Sequence, residues 1–365
     1  MRSDCLVLGG GIIGCAIAWR LAQRGLRVTL VERGRPGEEA SSAAGGILSP
    51  QAEAHRPGPF LSLALKSRER YPDLVAELRE LVDLDLGFRT DGTLVLAKDD
   101  AEAEQLRARA RWQTAAGLAV EQIEGALLTK LEPALAPAPL ALRFPNDPQI
   151  DNRLLVRALA QAAERAGVSF LSGEASGVWH DRARVRGVEL RGEKLAAEKV
   201  VVACGSWSSP LAIGLRSAVV EPVRGQMIEL KTEPSLLRHV VFGAGGYLVP
   251  RKDGRLIVGS TEERVGFVKE VTVAGRELLV RRVAQLIPAL AGHPIARSWA
   301  GLRPATPDGL PLLGETAIAG LHLATGHFRN GILLTPITAE IVAAQVTGAA
   351  PPVDATPFSP ARFAE

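Results

Sequence analysis

Hydrophobic positions first gather in an apolar run, Cys5 to Leu8, which is strand-length and stops at Gly9. Behind it Ile13, Ile17 and Leu21 recur at helical spacing, and a second apolar run, Arg27 to Val31, ends on Glu32. Helical spacing returns over 61–84 with a break at Pro72, and a strand is expected at 93–97 after the Asp91-Gly92 turn. The stretch 101–117, rich in Ala, Arg and Glu, reads as a solvated helix, and the proline-rich 133–148 as a connection. Asp151 or Asn152 caps a helix that stops at Gly167, and a strand follows at 168–171. The run Lys199 to Ala203 is continuous, as in a parallel strand buried on both faces. From Val219 the pattern alternates, over 224–230, 247–250 and 255–258, the last two joined by the Asp253-Gly254 turn. An amphipathic helix is expected over 273–290, a strand at 321–324 broken at Gly326, and a helix over 331–346. The pattern predicts an α/β chain, with a Rossmann-type domain and a second α+β domain built on an antiparallel sheet.

The first turn carries chemistry. In Gly9-x-Gly11-x-x-Gly14 the first glycine permits a tight turn, the second lets a pyrophosphate approach, and the third lets helix and strand pack closely. N–H groups at the helix start then face the anion. Glu32, eighteen residues after Gly14, stands where an acid meets ribose hydroxyls and argues against a 2′-phosphate. The order strand, turn, helix, strand, acid favours an adenine dinucleotide over a merely glycine-rich helix start. Spacing does not separate FAD from NAD. The small residues from Ser41 to Pro50 follow the ribose acid and are expected to line the path towards the reactive end of the cofactor; a flexible loop is the alternative. Cys204-Gly205-Ser206-Trp207 is a second close-approach turn at the carboxyl end of a strand.

Composition narrows the class. With 365 residues, 47% of them hydrophobic, the chain is long enough for two domains and a large core. A formal charge of +3 without a long basic run gives no indication of nucleic acid. Arg2 before the charge-free stretch to Trp19 resembles a leader peptide, but the interior glycines fit the nucleotide turn better. No apolar run reaches membrane-spanning length. Three thiols, Cys5, Cys15 and Cys204, at core-like positions suggest a reduced, cytoplasmic protein.

Together with the first turn, Ser42 to Gly46, Arg224-Gly225-Gln226, Trp299 to Pro304 and Gly326-His327-Phe328-Arg329-Asn330-Gly331-Ile332 resemble the D-amino acid oxidase family of FAD-dependent amine oxidoreductases. Within it the chain is most similar to the branch that oxidises glycine in thiamine biosynthesis. The resemblance implies non-covalent FAD, since no cysteine follows Cys204. It implies an FAD-binding domain assembled from 1–85, 147–218 and 304–365, and a substrate-binding domain from 86–146 and 219–303. Implied cofactor contacts begin with Gly9, Gly11, Ile12, Ile13 and Gly14, then Glu32 and Arg33. They continue through Ala40, Ser41, Ser42, Gly45, Gly46 and Ile47 to Val178, Cys204 and Gly205. Arg303, His327, Phe328, Arg329, Asn330, Gly331 and Ile332 complete them.

Three residues are expected at the substrate by resemblance: Arg303 on its carboxylate, Tyr247 on the same group, and Arg329 between flavin and substrate. A guanidinium grips a carboxylate bidentately and stays charged. A surface ion pair is the alternative for Arg303, and a cross-strand core aromatic for Tyr247. With the carboxylate clamped, hydride passes from the α-carbon of the neutral amine to flavin and no side-chain base is required. Dioxygen then gives hydrogen peroxide, and the imine hydrolyses or is handed to a thiazole synthase. Gly243 to Gly246 and Glu262 depart from the family pattern and leave substrate breadth open among glycine, sarcosine and small D-amino acids. The rival expectations are a D-amino acid or sarcosine dehydrogenase feeding a quinone, and a non-catalytic nucleotide-binding protein. A homo-oligomer, a tetramer by resemblance, completes the expectations.

Overall fold

The computed structural model describes residues 3–181, 183–215 and 219–364. Arg2, and the ends of the expected segments at 1, 218 and 365, lie outside the described residues. Two eight-stranded sheets organise the chain. The first runs in the order Leu312–Glu315, Leu321–Thr325, Glu193–Val202, Ser3–Leu8, Val28–Glu32, Ser169–Ser172. All neighbours are parallel except the antiparallel edge strand Leu312–Glu315. Leu8 is in register with both Val31 and Val202, so Gly9, Glu32 and Ala203 stand side by side at the carboxyl edge of the sheet. The two remaining strands, Ala175–His180 and Val185–Leu190, form an antiparallel extension of Glu193–Val202.

The helix Ile12–Gln23 is buried nearly all round, Cys15, Ala18 and Trp19 included, because it is wedged between Asn152–Arg165 and Gly331–Val346. The expected stripe of Ile13, Ile17 and Leu21 is only one of its covered faces. Asp151 caps the helix Asn152–Arg165 by accepting from the N–H groups of Arg153 and Leu154. The break near Pro72 falls at Arg70, between Pro59–Glu69 and Tyr71–Val82.

The last helix, Gly331–Val346, carries Pro336 in its interior. A proline there has no N–H to give, which frees the carbonyl four residues earlier, that of Ile332. The buried Tyr71 hydroxyl donates to that carbonyl, and Ser67 Oγ donates to the carbonyl of Leu333 at 2.6 Å. The amino end of the last helix is thereby held by two side chains from the preceding helical pair.

The second sheet runs Ile295–Ala305, Glu221–Lys231, Arg255–Gly259, Gly246–Pro250, Val240–Gly243, Thr93–Leu96, Ala141–Phe144, Glu121–Ile123. The mixed α/β class with its second, antiparallel sheet is borne out, with one parallel junction between Val240–Gly243 and Thr93–Leu96. Two expectations need correction. The proline-rich 133–148 is not only a connection, for Ala141–Phe144 is an interior strand of this sheet. The helix Asp100–Ala115 is not wholly solvated: Arg109 and Gln113 are buried. Arg109 donates to the carbonyl of Ala52 at 2.8 Å, and Gln113 to that of Gln51 at 2.9 Å. Both brace the short helix Pro50–Glu53, as does buried Asp147, which accepts from the N–H groups of Gln51 and Ala52 and pairs with Arg68 at 2.6 Å. Burial pushes the Asp147 carboxyl up to about 6, against the pull of Arg68.

Candidate active site

A cavity of about 820 Å³ follows the carboxyl edge of the parallel sheet and is walled on its other side by the antiparallel sheet. Gly9, Gly11, Ile12 and Ile13 line one end with Glu32 and Arg33. Gly9 has φ +99°, and a side chain there would meet the Ala203 carbonyl at 2.5 Å. Gly14 does not line the cavity: its Cα faces the Gly9 carbonyl so closely that a Cβ would stand 1.9 Å away. The N–H of Ile12, first in its helix, donates to Ser41 Oγ at 2.9 Å. Glu32 accepts from the N–H groups of Gly10, 2.6 Å, and Gly34, 2.7 Å, so the acid also shapes the turn it was expected to face.

Ala40, Ser41, Gly45, Gly46 and Ile47 line the middle. Ser42 does not, since its hydroxyl donates to the carbonyl of Gly37. Arg251, unmarked by any motif, donates to the carbonyls of Gly45, 2.8 Å, and Ile150, 2.9 Å, and braces this loop from within the protein. Cys204 and Gly205 lie opposite, the half-buried Cys204 thiol pushed up to about 12 by desolvation and therefore protonated. Val178, expected at the cofactor, does not line the cavity. It packs in the hydrophobic cluster under the parallel sheet, while Ala175 and Ser176 of the same strand reach the cavity. Only the first residues of that strand approach the cavity, and its apolar position further along turns to the core.

Arg303, Tyr247, His327, Phe328 and Arg329 converge at the other end, with Gly331 and Ile332 of the last helix. Asn330 precedes that helix, donates its N–H to the carbonyl of His327 at 2.9 Å, and does not line the cavity. Arg303 donates to the Thr261 carbonyl, 3.1 Å, and to Ser260 Oγ, 2.6 Å; among the described residues no carboxylate pairs with it. Its guanidinium lies over Gly225, where a Cβ would come within 2.1 Å of Nη2. That accounts for the glycine in Arg224-Gly225-Gln226, whose role the sequence left open. The Tyr247 hydroxyl donates to Met227 Sδ at 3.3 Å, a weak acceptor. Arg329 pairs with Glu53 at 3.4 Å and Glu262 at 3.8 Å, Glu53 being the main cause that holds its pKa up. Glu53, on the helix that Asp147 and Arg109 brace, lines the cavity and was not expected there. Buried His327 is pushed down to about 3 by desolvation and is neutral, its Nε2 against Thr338 Oγ1 at 3.1 Å.

A dinucleotide turn, an acid at the end of the second strand and a charged far end in one cavity describe a nucleotide-cofactor oxidoreductase. The chain belongs to the DAO family of FAD-dependent oxidoreductases, whose family model matches residues 4–345. It is 38% identical to a glycine oxidase of Geobacillus kaustophilus over 98% of this chain and 96% of that one. The crystal structure of glycine oxidase from Geobacillus kaustophilus superposes with a TM-score of 0.95 at 37% identity, covering 100% of both chains. A bifunctional protein ThiO/ThiG of Trichormus variabilis is 37% identical over 94% of this chain, which spans 52% of that relative's length.

The lining fits FAD. Gly9 and Gly11 leave backbone open at a helix amino end for a pyrophosphate, and the amino end of the last helix meets the cavity at Gly331. Glu32→Ala is expected to weaken FAD binding by about 1.5–3 kcal/mol, the range for a hydrogen bond to a charged group. The check is Kd from flavin fluorescence on reconstituting apoprotein; an unchanged Kd puts the ribose elsewhere.

Proposed function

We propose that this chain oxidises glycine and other small amines at non-covalent FAD, reduces dioxygen to hydrogen peroxide, and releases an imine that hydrolyses to glyoxylate and ammonia. The observation that carries the substrate class is Arg303: a guanidinium in the cavity wall whose described partners are a carbonyl and a hydroxyl, leaving its charge for a carboxylate. Relatives named glycine oxidase support the reading, and favour it over a quinone-linked dehydrogenase or a non-catalytic nucleotide-binding protein.

Bound FAD supplies the two-electron acceptor. Arg303 binds the carboxylate as a fork and cannot take the amine's proton. Tyr247 exchanges its weak contact with Met227 Sδ for the same carboxylate. Together they hold the α-carbon in one orientation, an effect worth up to ~7–11 kcal/mol in intramolecular reactions. Neutral His327 adds no charge beside the reacting amine, and Arg329 shares its own with Glu53 and Glu262. The amino end of the last helix favours negative charge at Gly331 and Ile332. The parallel-sheet strands fall within 1–85, 147–218 and 304–365, and the antiparallel-sheet strands within 86–146 and 219–303 except for the end of Ile295–Ala305. This supports an FAD-binding part and a substrate-binding part in those segments. Relatives that join ThiO to ThiG in one chain support delivery of the imine to a thiazole synthase. The same reading carries a homo-oligomer, a tetramer by resemblance.

The test is an anaerobic titration with glycine, sarcosine and small D-amino acids, followed by oxygen uptake. Glycine is expected to bleach the flavin and to consume dioxygen. Bleaching without oxygen uptake would favour the dehydrogenase, and a flavin that no amine bleaches would favour the non-catalytic protein.

A further inference from the structure

Half-buried Arg282 sits on the helix Val273–Leu286 behind the cavity wall, and among the described residues no carboxylate pairs with it. Burial lowers its pKa, and among the described residues no acid pairs with it to offset that cost. Its Nη1 donates to the carbonyl of Ser260 at 2.8 Å. It reaches that carbonyl past glycine: a Cβ on Gly246 would stand 3.1 Å from Arg282 Cδ, and one on Gly245 3.3 Å from Nη2. The small residues of this turn, which leave substrate breadth open when read as sequence, are therefore the passage for an arginine.

Ser260 connects that arginine to the cavity. Its carbonyl takes Arg282, while its hydroxyl takes Nη2 of Arg303 at 2.6 Å and lines the cavity. The neighbouring carbonyl of Thr261 takes Nη1 of Arg303, so two successive residues set the rotation of the guanidinium, with Gly225 beneath it. An arginine free to rotate loses much of the advantage of its planar fork. Resting on the reading of Arg303 as the carboxylate clamp, we propose that Ser260 and Arg282 are positioning residues for the substrate carboxylate. Arg282 holds the Ser260 peptide, and the Ser260 hydroxyl fixes the plane in which Arg303 meets the carboxylate.

The test compares steady-state turnover, read as oxygen uptake, of glycine and of ethylamine, an amine without a carboxylate, in Ser260→Ala, Arg282→Met, the double variant and Arg303→Ala. Ser260→Ala is expected to lower kcat/KM for glycine about threefold to tenfold, because Arg303 keeps its charge and its Thr261 contact and loses only part of the constraint on its plane, with most of the loss in KM. Arg282→Met is expected to do the same to a smaller extent, and ethylamine to be unaffected by either. The double variant is expected to be no worse than Ser260→Ala alone, because Arg282 acts through Ser260. Ser260→Thr, which keeps the hydroxyl, is expected to restore the wild-type value. Equal losses for glycine and ethylamine, no loss for glycine, or losses that multiply in the double variant would overturn the inference. If Arg303→Ala leaves the glycine-to-ethylamine ratio unchanged, the clamp itself is wrong; if it collapses that ratio while Ser260→Ala does not, only the positioning role fails. Should Arg282→Met not fold, Arg282→Gln, which keeps most of the stem, takes its place.

Discussion

Arg303→Ala is expected to lower kcat/KM for glycine by about 10²–10⁴-fold, because two charge-assisted hydrogen bonds at about 1.5–3 kcal/mol each are lost together. KM rises as binding is lost, and kcat falls as orientation is lost. Arg303→Lys is expected to recover only part, since an ammonium keeps the charge but not the fork. Tyr247→Phe removes one hydrogen bond to the carboxylate, about 1.5–3 kcal/mol, and is expected to cost about 10–10²-fold, less than the loss of both Arg303 bonds. The fold should persist, because Ser260, one of the two partners Arg303 leaves behind, lines a cavity from which water can replace the lost donor. The deciding measurement is the ratio of kcat/KM for glycine to that for a carboxylate-free amine in wild type and variant. An unchanged ratio means that Arg303 does not read the carboxylate.

Gly11→Val and Gly14→Ala are expected to abolish FAD binding for different reasons, and their contrast tests the turn. A Cβ on Gly11 would meet only Ser41 Oγ, at 3.4 Å, so the protein can fold around it. The added methyls then stand where the pyrophosphate approaches, and the purified protein should be colourless yet cooperatively folded. A Cβ on Gly14 would lie 1.9 Å from the Gly9 carbonyl, backbone that cannot swing aside. The helix Ile12–Gln23 must then part from the sheet, so Gly14→Ala should lower the melting temperature sharply or fail to accumulate. Circular dichroism melts beside the flavin absorbance of the purified proteins separate the two cases. A yellow, fully loaded Gly11→Val protein would show that the pyrophosphate does not pass Gly11.

The helix over 331–346 and the strands around Gly9 and Glu32 were legible because the hydrophobic pattern and the turn residues there agree locally. So were Gly9, Gly11 and Glu32, whose spacing follows from the path of one strand, turn and helix. The resemblance, resting on longer motifs, singled out Arg303, Tyr247 and Arg329, and all three line one cavity. The strands Ala175–His180 and Ala141–Phe144 were passed over, the first for want of a continuous apolar run, the second hidden among prolines. Ala141–Phe144 takes its place by pairing with the distant strand Thr93–Leu96, and Ala175–His180 by a hairpin with Val185–Leu190 that joins the sheet only through Glu193–Val202; no local period reports either pairing.

What the sequence determined by itself was the local geometry: a phosphate turn, an acid after the second strand, a glycine wherever backbone had to be approached. Only the tertiary structure decided which surfaces those pieces meet. Val178 turned to the core, Glu53 came to the cavity on a helix held by Asp147 and Arg109, and Arg282 reached Ser260 through a glycine passage. Each of these depends on contacts between residues far apart in the chain. Such contacts form because buried polar groups must find partners wherever packing happens to bring them, and spacing along one segment carries no record of that.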